Sequence, residues 1–428
     1  MLYVACIFIV LIALIYVGVP VFLATLITSI VFMLVLNLPF SIMIIRVFGG
    51  IDSFSLMAIP FFILAGNIMM EAKITDKIVE FSNAMFGRFK GGLGHVNIVS
   101  SMLFAGIQGS GAADASAIGS VLIPAMEKQG YDKDYAVAVT ASSSVIGPII
   151  PPSIAMIMYA YYTDLSVGRL FLGGFVPGVI IGFGLMAVHA VYYRIRKYNF
   201  PTTPFNLRYL YKTMRQSILA LIMPLIILFG IVFGVFTPTE SGIIASLYGL
   251  LYGFFFSREL TVNKLPKIFI DSAVMTAVVM ITIAMAGVLG NILVRLQFQN
   301  TLIKFAVDSV GNRYLASLLM MLFLLILGCF LDPPVLIAMF AAPVLAAGTA
   351  MGFDPIHFGV FVVIAMQLGA ITPPVGAFLF IASCIAEVPL EKSVKALSPF
   401  LIVIILVTVL VLFVPTLTLG LNSIFFPQ

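Results

Sequence analysis

Two aspartates set in apolar sequence are the residues of this chain with the clearest potential for chemistry. Asp114 follows a Gly/Ser turn at 109–111, and Asp332 directly precedes Pro333. A carboxylate within membrane-type apolar sequence is costly and usually marks an ion or solute pathway. Because hard cations prefer oxygen ligands, we expect each aspartate to take part in a cation site. Capping of the helix that follows is a compatible structural role for either residue.

Two proline-rich interruptions offer a second kind of polar group, the unpaired backbone. Residues 147–152 (GPIIPP) and 369–376 (GAITPPVG) each divide an apolar run into two pieces. Proline cannot continue a helix, so carbonyls and amides at these breaks lack helical partners. The carbonyls can coordinate Na⁺, and the amino-terminal ends of half-helices can face an anionic solute. One such set in each half of the chain predicts two cation sites.

The composition assigns the chain to the membrane proteins. Of its 428 residues 62% are hydrophobic and only 9% are charged, with a mean hydropathy of +1.19. A soluble domain has about 25% charged residues. The net charge of +5 indicates basic cytoplasmic loops and no nucleic-acid partner. The three cysteines lie in apolar runs and the three histidines are scattered, so we predict no transition-metal site.

Each aspartate is predicted to lie at the tip of a re-entrant hairpin. The apolar flanks of the first tip, 98–107 and 117–126, are about ten residues each. As helices they would be roughly 15 Å long, half the thickness of a hydrocarbon core. Irregular backbone at that depth must be covered by protein or line a cavity. We therefore expect both tips near the middle of the membrane.

The other elements follow the same order in both halves. The first repeat, 1–193, is predicted to contain scaffold spans at 1–36, an amphipathic surface helix at 71–95, a hairpin at 97–127 and a broken helix at 134–163. A cytoplasmic linker, 194–215, leads to the second repeat, 216–428. There the corresponding elements are scaffold spans at 218–256, a surface helix at 300–312, a hairpin at 314–347 and a broken helix at 356–386.

An internal repeat supports this division. One constant spacing pairs Gly147 with Gly369, Pro151 with Pro373, and the proline and glycine positions around them. An odd number of crossings per half would invert one repeat relative to the other. With the amino terminus outside, most of the 22 lysines and arginines fall on the inner side, as the positive-inside rule requires. The predicted fold is an all-α polytopic membrane protein with two inverted-topology repeats, re-entrant hairpins and Pro-broken helices.

Inverted repeats with broken helices indicate a secondary transporter. Three alternatives remain at this point. A membrane subunit of an ATP-driven importer would have to dock its ATPase on 194–215, because the chain contains no P-loop. An intramembrane enzyme would need a partner for Ser110, and no histidine or lysine is expected at its depth. A channel would use both Asp tips to line a pore.

Three further polar positions have structural explanations of their own. Residues 237–240 (TPTE) predict a loop and a helix start, with Glu240 favourable in the first turn. Asn67 and Asn291 each follow a glycine within a span, and each is expected to bond either a hairpin backbone or another helix.

The motifs together resemble the large membrane subunit of TRAP (tripartite ATP-independent periplasmic) transporters over essentially the whole chain. They are GSGAAD at 109–114, IPPS at 150–153, FTPTE at 236–240 and ITPPVG at 371–376. The segment 158–178 is more similar to the sialic-acid members than to the dicarboxylate members.

This resemblance implies a sodium-driven importer, not an enzyme, in a bacterial inner membrane, with a periplasmic amino terminus and an elevator mechanism. Na⁺ would be the coupling ion and no cofactor is expected. The implied partners are a separate small four-helix membrane subunit and a periplasmic binding protein, together with membrane lipid. The favoured solute is sialic acid, and the alternative is a C4-dicarboxylate or a related organic acid.

The resemblance also implies the site residues. The sodium ligands would be Ser110, Asp114, Ser144, Gly147 and Pro148 in the first half, and Asp332, Gly369 and Thr372 in the second. The solute would lie near Gln108, Ser110, Ser116 and Ser153.

Overall fold

Ten α-helices form the first half of the chain in the computed structural model, which describes residues 2–196 and 206–426. In order they are α1 (Leu2–Tyr16), α2 (Val21–Val35), α3 (Ser41–Gly49), α4 (Ala58–Glu71), α5 (Ile74–Phe86), α6 (Gly92–Gln108), α7 (Gly111–Lys128), α8 (Lys133–Ser144), α9 (Ile154–Thr163) and α10 (Val167–Ile195).

Ten further α-helices form the second half. They are α11 (Leu207–Val232), α12 (Pro238–Leu251), α13 (Leu265–Arg295), α14 (Phe298–Lys304), α15 (Arg313–Gly328), α16 (Pro333–Ala350), α17 (Pro355–Gly369), α18 (Ala377–Ala386), α19 (Leu390–Phe413) and α20 (Thr416–Phe425). Short π-helical segments follow α12 and α14, and a 3₁₀ turn precedes α13. No strand occurs in the described residues, and the predicted all-α class is confirmed.

Several helices have the length and composition of membrane spans. Within the described residues these are α10, α11, α13 with its preceding 3₁₀ turn, α16 and α19. The pair α4 and α5 also qualifies as one span bent by 69°. Six shorter apolar helices, α1, α2, α15, α17, α18 and α20, pack among them. The protein is therefore a multi-pass membrane protein.

The two helices of the first hairpin are longer than the apolar pattern predicted, and the expectation of about ten residues per flank was wrong. Helix α6 has 17 residues and α7 has 18, so each is about 25 Å long. Helix α6 begins at Gly92, six residues before the predicted flank, and this extension includes the polar residues His95 and Asn97, which are buried. The apolar run is shorter than the helix because buried polar side chains interrupt the hydropathy.

The remaining predicted segments can be placed on these helices. The first surface helix (71–95) corresponds to α5, and the second (300–312) to α14 with the π-helical segment Phe305–Val310. The predicted linker 194–215 overlaps the end of α10 and the start of α11, and its middle, 197–205, lies outside the described residues.

Left-handed backbone marks two bends before each hairpin. Lys73 (φ 56°) separates α4 from α5, and Gln297 (φ 58°) separates α13 from α14. Gly91 (φ 77°) then precedes α6, and Gly311 (φ 66°) precedes α15 by two residues. A right-handed helix cannot pass through such a residue, so the chain changes direction there. Each hairpin is thus joined to the helix before it, α4 or α13, through a short arm with a bend at either end. The arm is α5 in the first half and α14 with its π-helical extension in the second.

Helices α8 and α17 lie at the centre of the packing. Every residue from Tyr135 to Ser144 and from Ile356 to Gly369 is buried. Helices buried on all sides need small or apolar residues around their whole circumference, and both sequences provide them. The two helices correspond across the repeat, and each ends at a proline-rich break.

The second hairpin and the second broken helix touch through glycine backbones. A Cβ added to Gly369 would lie 2.3 Å from the carbonyl carbon of Gly328. A Cβ added to Gly328 would lie 2.9 Å from the Cα of Gly369. Both neighbours are backbone atoms, which cannot rotate away as a flexible side chain can. The absence of side chains at both positions therefore fixes how closely α15 approaches α17.

We predict that Gly369→Ala will destabilise the protein by about 1–3 kcal/mol, the usual cost of overpacking a well-packed contact. Gly420→Ala is the matched control, because a Cβ there meets no atom within 4 Å. The midpoint of thermal unfolding of the purified proteins in detergent measures the difference. Equal midpoints for the two variants would contradict the close backbone contact.

Candidate functional site

The first hairpin tip is fastened to the first proline break by backbone contacts. Gly109, left-handed with φ 63°, ends α6, and its carbonyl accepts a hydrogen bond from Ile154 N at 3.1 Å. A Cβ at Gly109 would lie 2.2 Å from the Pro152 carbonyl oxygen. Only glycine fits this position, because it combines a left-handed backbone with a close backbone approach. The tip and the break therefore form one unit.

The carboxylate of Asp114 lies within this unit and is almost completely buried (1% exposed). Its Oδ2 accepts a hydrogen bond from Ser101 Oγ at 2.7 Å. Its Oδ1 has no hydrogen-bond partner among the described residues. The Ser144 hydroxyl also faces the carboxylate but donates to the Thr140 carbonyl at 2.8 Å. A buried carboxylate with an unsatisfied oxygen is costly unless a cation or proton compensates it.

A chain of polar side chains holds Ser101 in place behind the carboxylate. Ser101 Oγ lies 3.0 Å from Ser143 Oγ, which donates to Asn97 Oδ1 at 3.1 Å. The Asn97 amide in turn donates to Thr140 Oγ1 at 2.8 Å. Sequence reasoning missed Asn97, Ser101 and Thr140. The available signal was the spacing of 97 and 101, which places both on one face of α6.

Four of the predicted site residues gather around the tip. Ser110 caps α7, its Oγ accepting from Ala113 N at 3.5 Å, so the cap is this serine and not Asp114. A Cβ on Gly147 would lie 3.1 Å from the Ser110 carbonyl oxygen. A Cβ on Gly111 would lie 2.8 Å from the Ser144 carbonyl oxygen. The carbonyls of Ser110 and Ser144 are thus brought close to the first turn of α7, which contains Asp114.

The remaining first-half residues have other surroundings. Ser153 is buried and caps α9; it accepts from Met156 N at 3.1 Å and donates to the carbonyl of Pro148. Gln108 is buried against Gly66 of α4, and its Oε1 has no hydrogen-bond partner among the described residues. Ser116 is exposed and lies about 200° around α7 from Asp114. The structure therefore does not place Ser116 beside the carboxylate.

The second tip repeats the backbone arrangement with a different aspartate environment. The carbonyl of Cys329, the residue that ends α15, accepts from Val375 N at 3.1 Å, directly after the second Pro-Pro pair. Thr372 Oγ1 donates to the Leu368 carbonyl at 2.7 Å. Asp332 precedes α16 but makes no side-chain capping bond, unlike Asp354, which caps α17 through two amides. The Asp332 carboxylate therefore does not bond the amides at the start of α16. The residue is partly buried.

The two halves meet at the first tip. A Cβ on Gly111 would lie 2.3 Å from the ring of Phe378, which is in the first turn of α18. Phe378 N donates to the Ala370 carbonyl at 2.8 Å, within the second break. The first hairpin tip and the second proline break are thus neighbours, as a shared site would require.

The whole chain is similar in sequence to a family of membrane transporters. A family model described as "Tripartite ATP-independent periplasmic transporter, DctM component" matches residues 8–417. A sialic acid TRAP transporter large permease of Vibrio cholerae is 35% identical over 381 residues, 89% of each chain. A C4-dicarboxylate TRAP transporter large permease of Pseudomonas aeruginosa is 33% identical over 380 residues, 89% of this chain and 88% of that protein.

A solved structure has a similar fold. The YdaH transporter of Alcanivorax borkumensis, described as having an unusual topology, superposes with a TM-score of 0.60. The two share 11% sequence identity, and the match covers 88% of this chain and 87% of that one. This likeness concerns the fold alone.

We predict that Ser101→Ala will lower the free energy of unfolding by about 1–3 kcal/mol, because it removes a hydrogen bond to a buried carboxylate. Ser100→Ala is the matched control: Ser100 is equally buried, but its hydroxyl has no partner among the described residues. Thermal unfolding in detergent compares the two. A control variant as unstable as Ser101→Ala would show that the hydrogen bond to Asp114 is not the cause.

Proposed function

This chain belongs to the DctM-component family of tripartite ATP-independent periplasmic transporters, and from that premise we propose that it is the large permease of a sodium-coupled importer of an anionic solute. It is a transporter subunit and not an enzyme. Its location is a bacterial inner membrane, which it crosses several times. Coupling ion, solute and orientation are parts of the proposal.

The buried Asp114 carboxylate carries the proposal. One of its oxygens lacks a hydrogen-bond partner in the described part of the chain, and the carbonyls of Ser110 and Ser144 lie close to the first turn of the same helix. Carboxylate, hydroxyl and carbonyl oxygens are the ligands that hard cations take. Na⁺ bound by Asp114 would neutralise the carboxylate and tie the tip to the break. The geometry around Gly147 and Ser144 fits this role.

A second Na⁺ is proposed beside Asp332. Its carboxylate does not cap α16, so it is available to a ligand. Gly369 and Thr372 belong to the break against which the second tip packs. Gln108, Ser110, Ser116 and Ser153 remain the proposed solute contacts. Ser116 has the least support of the four, because it lies on the opposite side of α7 from Asp114. Ser153 already makes two hydrogen bonds, so solute there would compete with the capping of α9.

Elevator motion is proposed on the basis of the arm geometry. The hairpins and broken helices would move as one core against a scaffold formed by residues 1–36, residues 218–256 and the two surface helices. Each hairpin is connected through an arm that begins and ends at left-handed residues. Such bends let a rigid core change its position while its helices keep their internal packing.

The proposed partners are a small four-helix membrane subunit and a periplasmic binding protein, as the tripartite family name implies. Sialic acid is the favoured solute because segment 158–178 resembles the sialic-acid members more. A C4-dicarboxylate is the alternative, because relatives named for each solute have nearly equal identity. The excess of lysine and arginine in the loops assigned to the inner side supports a periplasmic amino terminus.

We expect uptake in proteoliposomes that contain this chain and its small subunit, without ATP, only when an inward Na⁺ gradient and the loaded binding protein are both present. Labelled sialic acid is the first solute, and labelled succinate with a matching binding protein is the second. Succinate uptake alone would change the solute and keep the mechanism. Uptake without a Na⁺ gradient for either solute would reject sodium coupling.

We further expect Asp114→Asn and Asp332→Asn each to reduce Na⁺-driven uptake at least about 100-fold, because a neutral amide cannot compensate a bound cation and a lost charged contact costs about 3 kcal/mol or more. Asp354→Asn is the control, since asparagine caps a helix as well as aspartate does. Uptake by either tip variant at the level of the control would remove that aspartate from the coupling site.

A further inference from the structure

The first three turns of α11 present a basic cavity that the proposed transport site does not use. Its volume is about 430 Å³, and its lining residues are Arg208, Tyr211, Lys212, Arg215 and Gln216. The three cations are four and three residues apart along the helix, so they lie on one face. The cavity therefore concentrates three positive charges within two turns.

No carboxylate lies within 4 Å of these three cations in the part of the chain that the structure describes. The ion pairs found there are Lys73–Glu259, Lys77–Glu80, Lys133–Glu127 and Lys264–Glu71. Asp76 and Glu80 of α5 line an adjoining cavity with Arg215, and Glu80 already binds Lys77 at 3.0 Å. The sequence 197–205 contains no aspartate or glutamate. Three neighbouring cations that repel one another form a site for an external anion.

The same helix also offers an apolar surface directly beyond the cations. Ile218, Ile222 and Leu225 are exposed by 44%, 37% and 50%, and they continue the stripe formed by the basic residues. Tyr211 is exposed among the basic residues and lines their cavity, and aromatic side chains favour the headgroup level of a membrane. A ligand that matches this surface has an anionic head and apolar chains.

We propose that Arg208, Lys212 and Arg215 bind the phosphodiester group of an anionic phospholipid, whose acyl chains lie along Ile218, Ile222 and Leu225. The side chains carry the recognition, because the first free amides of α11 already donate to Asn206 Oδ1 at 3.0 and 3.2 Å. Basic pockets beside membrane-spanning helices bind anionic headgroups in this way. The leaflet follows the orientation proposed above, whereas the binding itself does not depend on sodium coupling.

The site would also affect the first arm. Arg215 and Gln216 form the wall shared with the cavity on α5, and Ser217 Oγ donates to the Lys77 carbonyl at 2.9 Å. A lipid held at this wall would lie between α11, which belongs to the proposed scaffold, and α5, which leads to the first hairpin.

Native mass spectrometry of the purified full chain tests the proposal. Dioleoyl-phosphatidylglycerol and dioleoyl-phosphatidylcholine are added separately, and the retained lipid is measured. We expect phosphatidylglycerol to be retained and the triple variant Arg208→Gln, Lys212→Gln, Arg215→Gln to bind it at least about ten-fold more weakly, since each basic residue near an anionic surface contributes appreciably. Lys267→Gln, Lys392→Gln, Lys395→Gln is the control, because it removes three exposed cations elsewhere.

Several outcomes would overturn the proposal. Equal loss in the control variant would show attraction by net charge alone. Equal retention of phosphatidylcholine would show that the headgroup charge is not recognised. Thermal stabilisation by inorganic phosphate that equals the stabilisation by phosphatidylglycerol would identify a site for a free anion. Retention of wild-type amounts of phosphatidylglycerol by the triple variant would place the lipid elsewhere. The melting temperature of the triple variant is the folding control: a wild-type value excludes misfolding as the cause of any loss of lipid binding.

Discussion

A helix that is interrupted inside a membrane leaves amides and carbonyls without water to pair with, and this constraint governs the whole fold. Each break needs another segment whose backbone can approach closely enough to supply partners. The hairpin tips meet this need twice: the carbonyl of Gly109 pairs with Ile154 N, and that of Cys329 with Val375 N. The close approach requires glycine at Gly109, Gly328 and Gly369, where a side chain would collide with backbone. Hairpins and broken helices are therefore parts of one structural solution.

The same close approach produces the chemistry of the site. When the tip packs on the break, the first turn of α7 comes against the end of α8, and Asp114 loses contact with water. Among the described residues, only one of its oxygens then receives a hydrogen bond from protein. The cost of this arrangement is acceptable if a cation neutralises the carboxylate during the transport cycle. The structural requirement at the break and the proposed cation binding at the tip thus involve the same few residues.

The sequence predicted the features that depend on helix-breaking glycine and proline residues, and it missed those that depend on packing between helices. Glycine and proline at 109–111, 147–152 and 369–376 are local signals, and the helices end where those residues stand. The helix start at 237–240 was likewise predicted and is confirmed, with Glu240 in the first turn, where it forms a capping box with Thr237. The lengths of α6 and α7 were not predictable from hydropathy, because the first two turns of these helices contain buried polar residues, such as Asn97 and Asp114. Asn67 was predicted to bond either a hairpin backbone or another helix. In the structure it donates to Ser272 Oγ of α13 at 2.8 Å, so its partner is another helix.

The two halves share a backbone arrangement but differ in the side chains around it. Thr140, Ser142, Ser143 and Ser144 of α8 correspond, at the spacing that pairs Gly147 with Gly369, to apolar Val362, Ile364, Ala365 and Met366 of α17. Asp114 therefore has hydroxyl groups behind it, whereas the corresponding positions of α17 are apolar and Thr372 lies just beyond the end of that helix. A cation beside Asp332 would depend more on carbonyl oxygens and on retained water, and Asp332 is the more accessible aspartate. Repetition of the fold thus gives the two proposed cation positions the same backbone arrangement, and divergence of the helix behind each tip makes them chemically unequal.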